Sequence, residues 1–184
     1  MAILKHTNPC GVAIAPTLAE AYERAFAGDS VSAFGGIVAL NRPLDAATAT
    51  ALTKTFLECV VAPGCEAEAE EIIKAKSKLR VLLLPEMKRG GPGVVKAIAG
   101  GYLVQASDDA DDDQDRWEVA TEKKPTPEQL AELLFAWKVA KHVKSNAIVV
   151  TRDRATVGIG AGQMNRVGAA KIALEQAGEK AKGG

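Results

Sequence analysis

The sequence predicts a layered α/β protein, on three observations. Short apolar runs alternate along the chain with amphipathic helical patterns, as strands backed by helices do. Residues able to cap helices, Thr17, Asp45 and Thr126, stand just before helically periodic segments. The chain has 184 residues, 47% hydrophobic and 25% charged, a composition and length that suit a packed globular core.

The elements follow in order. After a short apolar start, Thr17 and Glu20 predict a capping box, and Leu18, Tyr22, Ala25 and Phe26 recur at helical spacing as far as Gly28. Gly36–Leu40 predicts a buried strand, and Asp45 caps a helix whose Ala49, Leu52 and Phe56 share one face. Val60–Ala62 predicts a strand stopped by Pro63; Ala69, Ile72 and Ile73 place a helix within Glu66–Lys76. Leu79–Leu84, ahead of Pro85, is the strongest strand pattern in the chain. Glu86–Gly93 is a Gly- and Pro-rich loop, and Gly100 and Gly101 open a strand running to Gln105. The aspartate-rich run Asp108–Asp115 predicts a solvated loop, because like charges oppose packing, with a metal site as the lesser alternative.

Thr126, Pro127 and Gln129 start a helix whose apolar face is Leu130, Leu133, Leu134, Trp137 and Ala140. Strands Ala147–Thr151 and Thr156–Gly160 lead to a helix over about Val167–Gln176, and the polar tail Glu175–Gly184 is expected to fray.

Charge and cysteines narrow the function. Lys and Arg total 23 against 23 Asp and Glu, a balance that excludes a general nucleic-acid binder, which needs excess cations to release phosphate counterions. Cys10, Cys59 and Cys65 have no CxxC spacing, so neither a disulfide framework nor a zinc knuckle is indicated. No apolar run approaches the roughly 20 residues of a membrane span, and the N-terminus lacks signal-peptide regions. A cytoplasmic protein without a membrane partner is expected.

Three sets of residues are able to carry chemistry. In Lys5-His-Thr-Asn-Pro-Cys-Gly11 an ammonium neighbours an imidazole just before a Pro/Gly turn. Histidine exchanges protons near neutral pH, and a neighbouring cation favours its neutral, proton-accepting form. Gly158-Ile-Gly-Ala-Gly-Gln-Met-Asn-Arg166 is a glycine-rich passage from strand to helix, where helix N–H groups and Arg166 can meet an anion; tight-turn glycines without a ligand are the plainer account. It lacks the G-x-G-x-x-G spacing of dinucleotide folds and the Lys-Ser/Thr of a P-loop. Ser32-Ala-Phe-Gly-Gly36 and Lys144-Ser-Asn146 flank predicted strands; singly, each reads as local turn chemistry.

Together, Lys5–Gly11, Asp29–Gly36, Lys144–Ile148 and Gly158–Arg166 resemble the signature segments of the AICAR transformylase family, whose bifunctional members also carry an IMP cyclohydrolase half. Val60–Pro63, Leu79-Arg80 and Gly100-Gly101 with Gln105 are similar too, so the resemblance runs in order along nearly the whole chain. It implies a three-layer α/β/α, cytidine-deaminase-like subdomain over residues 1–174 and an intertwined homodimer. It also implies transfer of a formyl group from 10-formyltetrahydrofolate to the 5-amino group of AICAR, giving formyl-AICAR and tetrahydrofolate.

On the same resemblance His6 matches the proton acceptor and Lys5 the neighbour that stabilises the transition state, with Asn146 hydrogen-bonding the reacting centre. Gly35, Glu58, Asn146 and Arg166 match nucleotide contacts and Val167 a folate contact; at Glu58 an aspartate is the expected residue. Some members of the family place potassium near the position of Ser145. Zinc is not expected, because His6 is followed by Thr7 and Asn8 and Cys10 by Gly11-Val-Ala13, so the H-x-E and P-C-x-x-C ligands of zinc deaminases are missing. The cyclohydrolase domain, a second transformylase subdomain and further folate contacts are expected to come from other segments. The alternative reading is a non-catalytic nucleotide-binding or assembly module.

Overall fold

A computed structural model describes residues 1–86, 93–109 and 114–184. Contacts divide the chain into two compact units, Met1–Pro85 with Pro125–Gly184, and Glu86–Lys124. The resemblance implies instead a single subdomain over residues 1–174.

The larger unit opens with a hairpin, β1 (Ala2–Lys5) and β2 (Asn8–Val12), followed by α1 (Leu18–Phe26), the single turn α2 (Ser30–Ala33) and β3 (Gly36–Ala39). Next come α3 (Ala46–Leu52), β4 (Leu57–Ala62), α4 (Ala67–Lys74) and β5 (Arg80–Leu83). These strands form one mixed sheet in the order β2-β1-β3-β4-β5, with β3, β4 and β5 parallel and β1 antiparallel to both its neighbours. The α/β class expected from the sequence is thus present. Ile3, Val38, Leu40, Leu44, Leu52 and Val60 lie at the centre of its core, each no more than 1% exposed.

Helix starts follow the sequence closely, because a cap is a local device. Thr17 accepts from Glu20 N (3.2 Å) and Asp45 from Thr48 N (2.7 Å). The first is only half a capping box: the Glu20 side chain turns instead toward Arg24, 3.7 Å away. Phe56 is not on the α3 face; the helix ends at Leu52, and Phe56 stacks obliquely on Phe34 with ring centroids 5.3 Å apart. The strong strand pattern before Pro85 becomes β5, the sheet edge, where Leu82 and Leu83 are half exposed.

The chain returns to this unit with α5 (Pro127–Ala140), the antiparallel pair β8 (Ile148–Arg152) and β9 (Ala155–Gly160), and α6 (Arg166–Ala177), after β6 (Val94–Ile98) and β7 (Gly101–Gln105) of the smaller unit. The Thr126–Gln129 capping box is complete, with bonds of 3.2 and 2.9 Å. The buried face of α5 differs from the expected one: Leu130, Leu133 and Trp137 are exposed, whereas Phe135 and Val139 join Val143 and Ile159 in a second core. Both rows recur at helical spacing, and the run is apolar on more than one side, so periodicity alone selects neither. The Ala13–Ala155 bridge and the Thr156 hydroxyl, 2.9 Å from Val12 N, tie β9 to the outer edge of β2.

α6 packs on β9 unusually closely. A Cβ on Gly158 or Gly160 would lie 1.9 Å from the carbonyl oxygen of Ala173 or Ala169. These two glycines lie within β9 and let the helix approach the strand, and Ala169, Ala173 and Ala177 supply the small facing residues. The tail does not fray as expected: α6 runs to Ala177, a 3-10 turn spans Gly178–Ala181, and Lys180 Nζ donates to Ala27 O (3.1 Å).

The smaller unit holds the antiparallel hairpin of β6 (Val94–Ile98) and β7 (Gly101–Gln105), joined through Gly100 at φ +81°, and a 3-10 turn at Gln114–Arg116. The expected loop over residues 87–92 and the middle of the aspartate run, residues 110–113, lie outside the described residues. Among the described residues no helix is long and apolar enough to cross a membrane.

Candidate active site

The turn expected at Pro9–Gly11 forms instead at His6 and Thr7. Lys5 pairs with Asn8, leaving a two-residue hairpin loop whose φ values are +48° at His6 and +69° at Thr7. This is the left-handed geometry hairpins favour, but for non-glycine residues it costs about 1–2 kcal/mol each. Such strain persists only where surrounding contacts hold it, and it gathers at functional sites. Pro9 can stay in β2 because that strand is at the sheet edge. Gly11 is needed for packing, since a Cβ there would lie 2.0 Å from Ala25 O of α1.

Both flanks of the turn are fastened. On one side Lys5 Nζ donates to Phe34 O at 2.5 Å. Gly35 follows at φ +68°, and its N–H donates to Phe56 O at 2.8 Å, so the loop entering β3 is held against both Lys5 and the start of β4. On the other side Asn8 Oδ1 accepts from Lys144 N at 3.0 Å. The Lys144–Asn146 segment is in turn bound to the loop leading into α6: Gly162 N donates to Lys144 O (2.9 Å), and Asn146 donates to Gln163 O through both its backbone N (2.9 Å) and Nδ2 (3.1 Å). Asn165 closes this chain of contacts by capping α6, its Oδ1 accepting from Gly168 N at 2.7 Å. Exposed His6 thus stands between two anchored loops, and exposed Arg166 opens the helix beside the second.

Cys10 contributes no nucleophile to this arrangement. Burial first and the charge of Asp29 second push its thiol up to about 11, so it stays protonated near neutral pH.

Residues 1–176 match the family model described as AICARFT/IMPCHase bienzyme. The chain belongs to that family. It is 73% identical over 184 residues to a protein of Trichodesmium erythraeum, 72% over 184 to one of Rippkaea orientalis and 71% over 183 to one of Gloeothece citriformis, each named bifunctional purine biosynthesis protein PurH. All of this chain is covered in each comparison, but only 36%, 36% and 35% of the relatives, so the chain spans about a third of their length.

Within this AICARFT/IMPCHase chain the structure joins some of the expected site residues and leaves others apart. Lys5, His6, Gly35 and Asn146 belong to the connected set just described. Glu58, on β4, is engaged by Arg80 of β5 at 2.9 Å. Val167, in the first turn of α6, is 66% exposed, with its side chain free for an external contact. The sequence reading missed Asn8 and Gln163, which hold the connected set together. Among the described residues no group of three or more His, Cys, Asp or Glu side chains is arranged to hold a metal.

Proposed function

We propose that this chain supplies the proton-transfer part of an AICAR transformylase, moving a formyl group from 10-formyltetrahydrofolate to the 5-amino group of AICAR. The observation that carries the reading is the strained, exposed His6 turn, fastened by Lys5 on one flank and through Asn8 to Lys144 on the other. Family membership supports it.

The AICAR amine is conjugated with its ring and carboxamide and is a poor nucleophile. As its nitrogen bonds to the formyl carbon, His6 accepts the proton the nitrogen sheds. The carbonyl electrons move onto oxygen, giving a tetrahedral oxyanion. Lys5 has three N–H donors, of which one reaches Phe34 O, so the others can face that oxyanion. Asn146 keeps its side-chain oxygen and a second N–H for the reacting centre after bonding Gln163. When the intermediate collapses, the C–O double bond re-forms, the C–N10 bond breaks, and N10 of tetrahydrofolate leaves with a proton returned from His6.

In the same proposal Gly35, Glu58 and Arg166 contact the nucleotide and Val167 the folate. Residues 1–174 are the first deaminase-like subdomain of a cytoplasmic homodimer completed by further family segments. Potassium near Ser145 suits the hydroxyl and carbonyl oxygens of that turn, which are hard ligands. No step of the transfer runs through it.

The test is tetrahydrofolate release, measured with the chain alone and with the chain replacing the matching segment of the Trichodesmium erythraeum relative. Transfer by the graft, reduced by about 10² or more in His6→Ala, is expected. AICAR binding without turnover in the graft would instead support the nucleotide-binding module.

A further inference from the structure

The geometry points to Asn8 as a positioning residue that sets the placement of Asn146 relative to His6. Asn8 lies one residue beyond the His6-Thr7 turn and is paired with Lys5 across the hairpin. Its side-chain oxygen accepts from the backbone N–H of Lys144, a residue 136 positions away. Lys144 is two residues before Asn146, and its own carbonyl accepts from Gly162 N of the loop that leads to Asn165 and Arg166. The backbone of Lys144 is therefore gripped at both its polar atoms, by the hairpin through Asn8 and by the α6 loop through Gly162. The Asn8–Lys144 bond is exposed, so its worth to the fold is small. Its geometric consequence is larger, because it links the hairpin whose turn carries the proton acceptor to the loop carrying a donor to the reacting centre.

This inference rests on the formyl-transfer reading and refines it. Asn8 touches neither reactant and acts through two groups that do. A displacement of about 1 Å between reacting groups costs roughly 10²-fold in rate without a matching loss of ground-state binding.

The test has two arms. On the 184-residue chain, amide hydrogen exchange at Lys144 is followed in Asn8→Ala and Asn8→Asp, with Leu40, bonded to Val61 O at 2.8 Å, as the control amide. Exchange at Lys144 is expected to quicken about tenfold in Asn8→Ala, to recover in Asn8→Asp, which keeps an acceptor oxygen, and to leave Leu40 unchanged. In the graft, Asn8→Ala is expected to lower kcat about 10- to 100-fold with the AICAR KM within about threefold, and Asn8→Asp to restore most of the rate. Within an Asn146→Ala background Asn8→Ala should cost less than about threefold further. Where Asn8→Ala does not fold, Asn8→Leu removes the acceptor at similar volume. Unchanged exchange at Lys144, failure of the Asp variant to recover, or additive losses with Asn146→Ala would overturn the proposal. A wild-type graft with no formyl transfer overturns the functional reading instead, while the exchange arm still reports whether Asn8 holds the loop.

Discussion

A Cβ built on Gly35 would stand 3.1 Å from Nζ of Lys5, and Gly35 itself has φ +68°. Two requirements thus meet at one position, a left-handed backbone and room for an ammonium group. Gly35→Ala is expected to destabilise the chain by about 1–2 kcal/mol, since alanine pays for the left-handed conformation. It should also push Lys5 from Phe34 O and weaken formyl transfer in the graft. Urea unfolding with transfer kinetics checks both; unchanged kinetics would separate Gly35 from the lysine's role.

Substitution of Lys5 itself separates charge from packing. Its bond to Phe34 O is exposed, so Lys5→Gln should shift stability by less than about 1 kcal/mol. Formyl transfer should fall by about 10²-fold, the usual cost of losing one donor to an oxyanion. A transfer rate within about twofold of the unsubstituted graft would remove Lys5 from the mechanism.

Much of the fold was legible because it is written locally. Thr17, Asp45 and Thr126 each cap a helix three residues from the N–H they bind, so the signal and the structure share a short window. β2 was not legible: Pro9 and Gly11 read as turn residues, yet one is tolerated at a sheet edge and the other answers α1, fourteen residues on. The face of α5 was misread because its apolar residues cover more than one side, and the side that is buried is the one meeting Val143, Val149 and Ile159 in the second core. At the candidate site, Lys5, His6 and Asn146 stood out by residue type and by resemblance. Asn8 did not, because its partner is 136 positions away and no spacing rule spans that distance.

The approach of α6 to β9 gives the sharpest stability prediction. A methyl group on Gly160 would sit 1.9 Å from the Ala169 carbonyl oxygen, and both atoms are main-chain or fixed to it, so no rotamer change relieves the clash. Gly160→Ala is expected to cost about 2–3 kcal/mol as the helix is forced outward. Alanine at Gly162, which has open space but φ +67°, should cost only about 1 kcal/mol. Chemical denaturation of the two variants checks the order; the reverse order would mean that α6 does not pack this closely.

Cys10 gives a prediction in pH. Its thiol is raised from 9.0 to about 11, by burial first and by Asp29 second. In the unfolded chain the thiol ionises first, so the folded state holds the extra proton between those values. The contribution to stability is complete below 9.0 and is lost as pH rises toward 11. Alkylation of Cys10, followed by peptide mass analysis, should be slow at pH 8 and accelerate toward pH 11, and Asp29→Asn should shift the profile to lower pH. An unshifted profile would leave burial as the whole cause.

Glu58 and Arg80 give the last prediction, because one ion pair admits two explanations. Their atoms are 2.9 Å apart, and the side chains are 49% and 70% exposed, so the pair contributes little stability, about 0–1 kcal/mol. If Glu58 only links β4 to β5, Glu58→Gln and Arg80→Gln remove the same interaction and should behave alike. If Glu58 contacts the nucleotide, as proposed, Glu58→Gln alone should raise the AICAR KM in the graft, by about tenfold for a lost charge-assisted hydrogen bond. Arg80→Gln should leave that KM within about twofold. Measuring both variants against AICAR at fixed 10-formyltetrahydrofolate distinguishes the cases, and equal behaviour would assign Glu58 to the sheet rather than to the substrate.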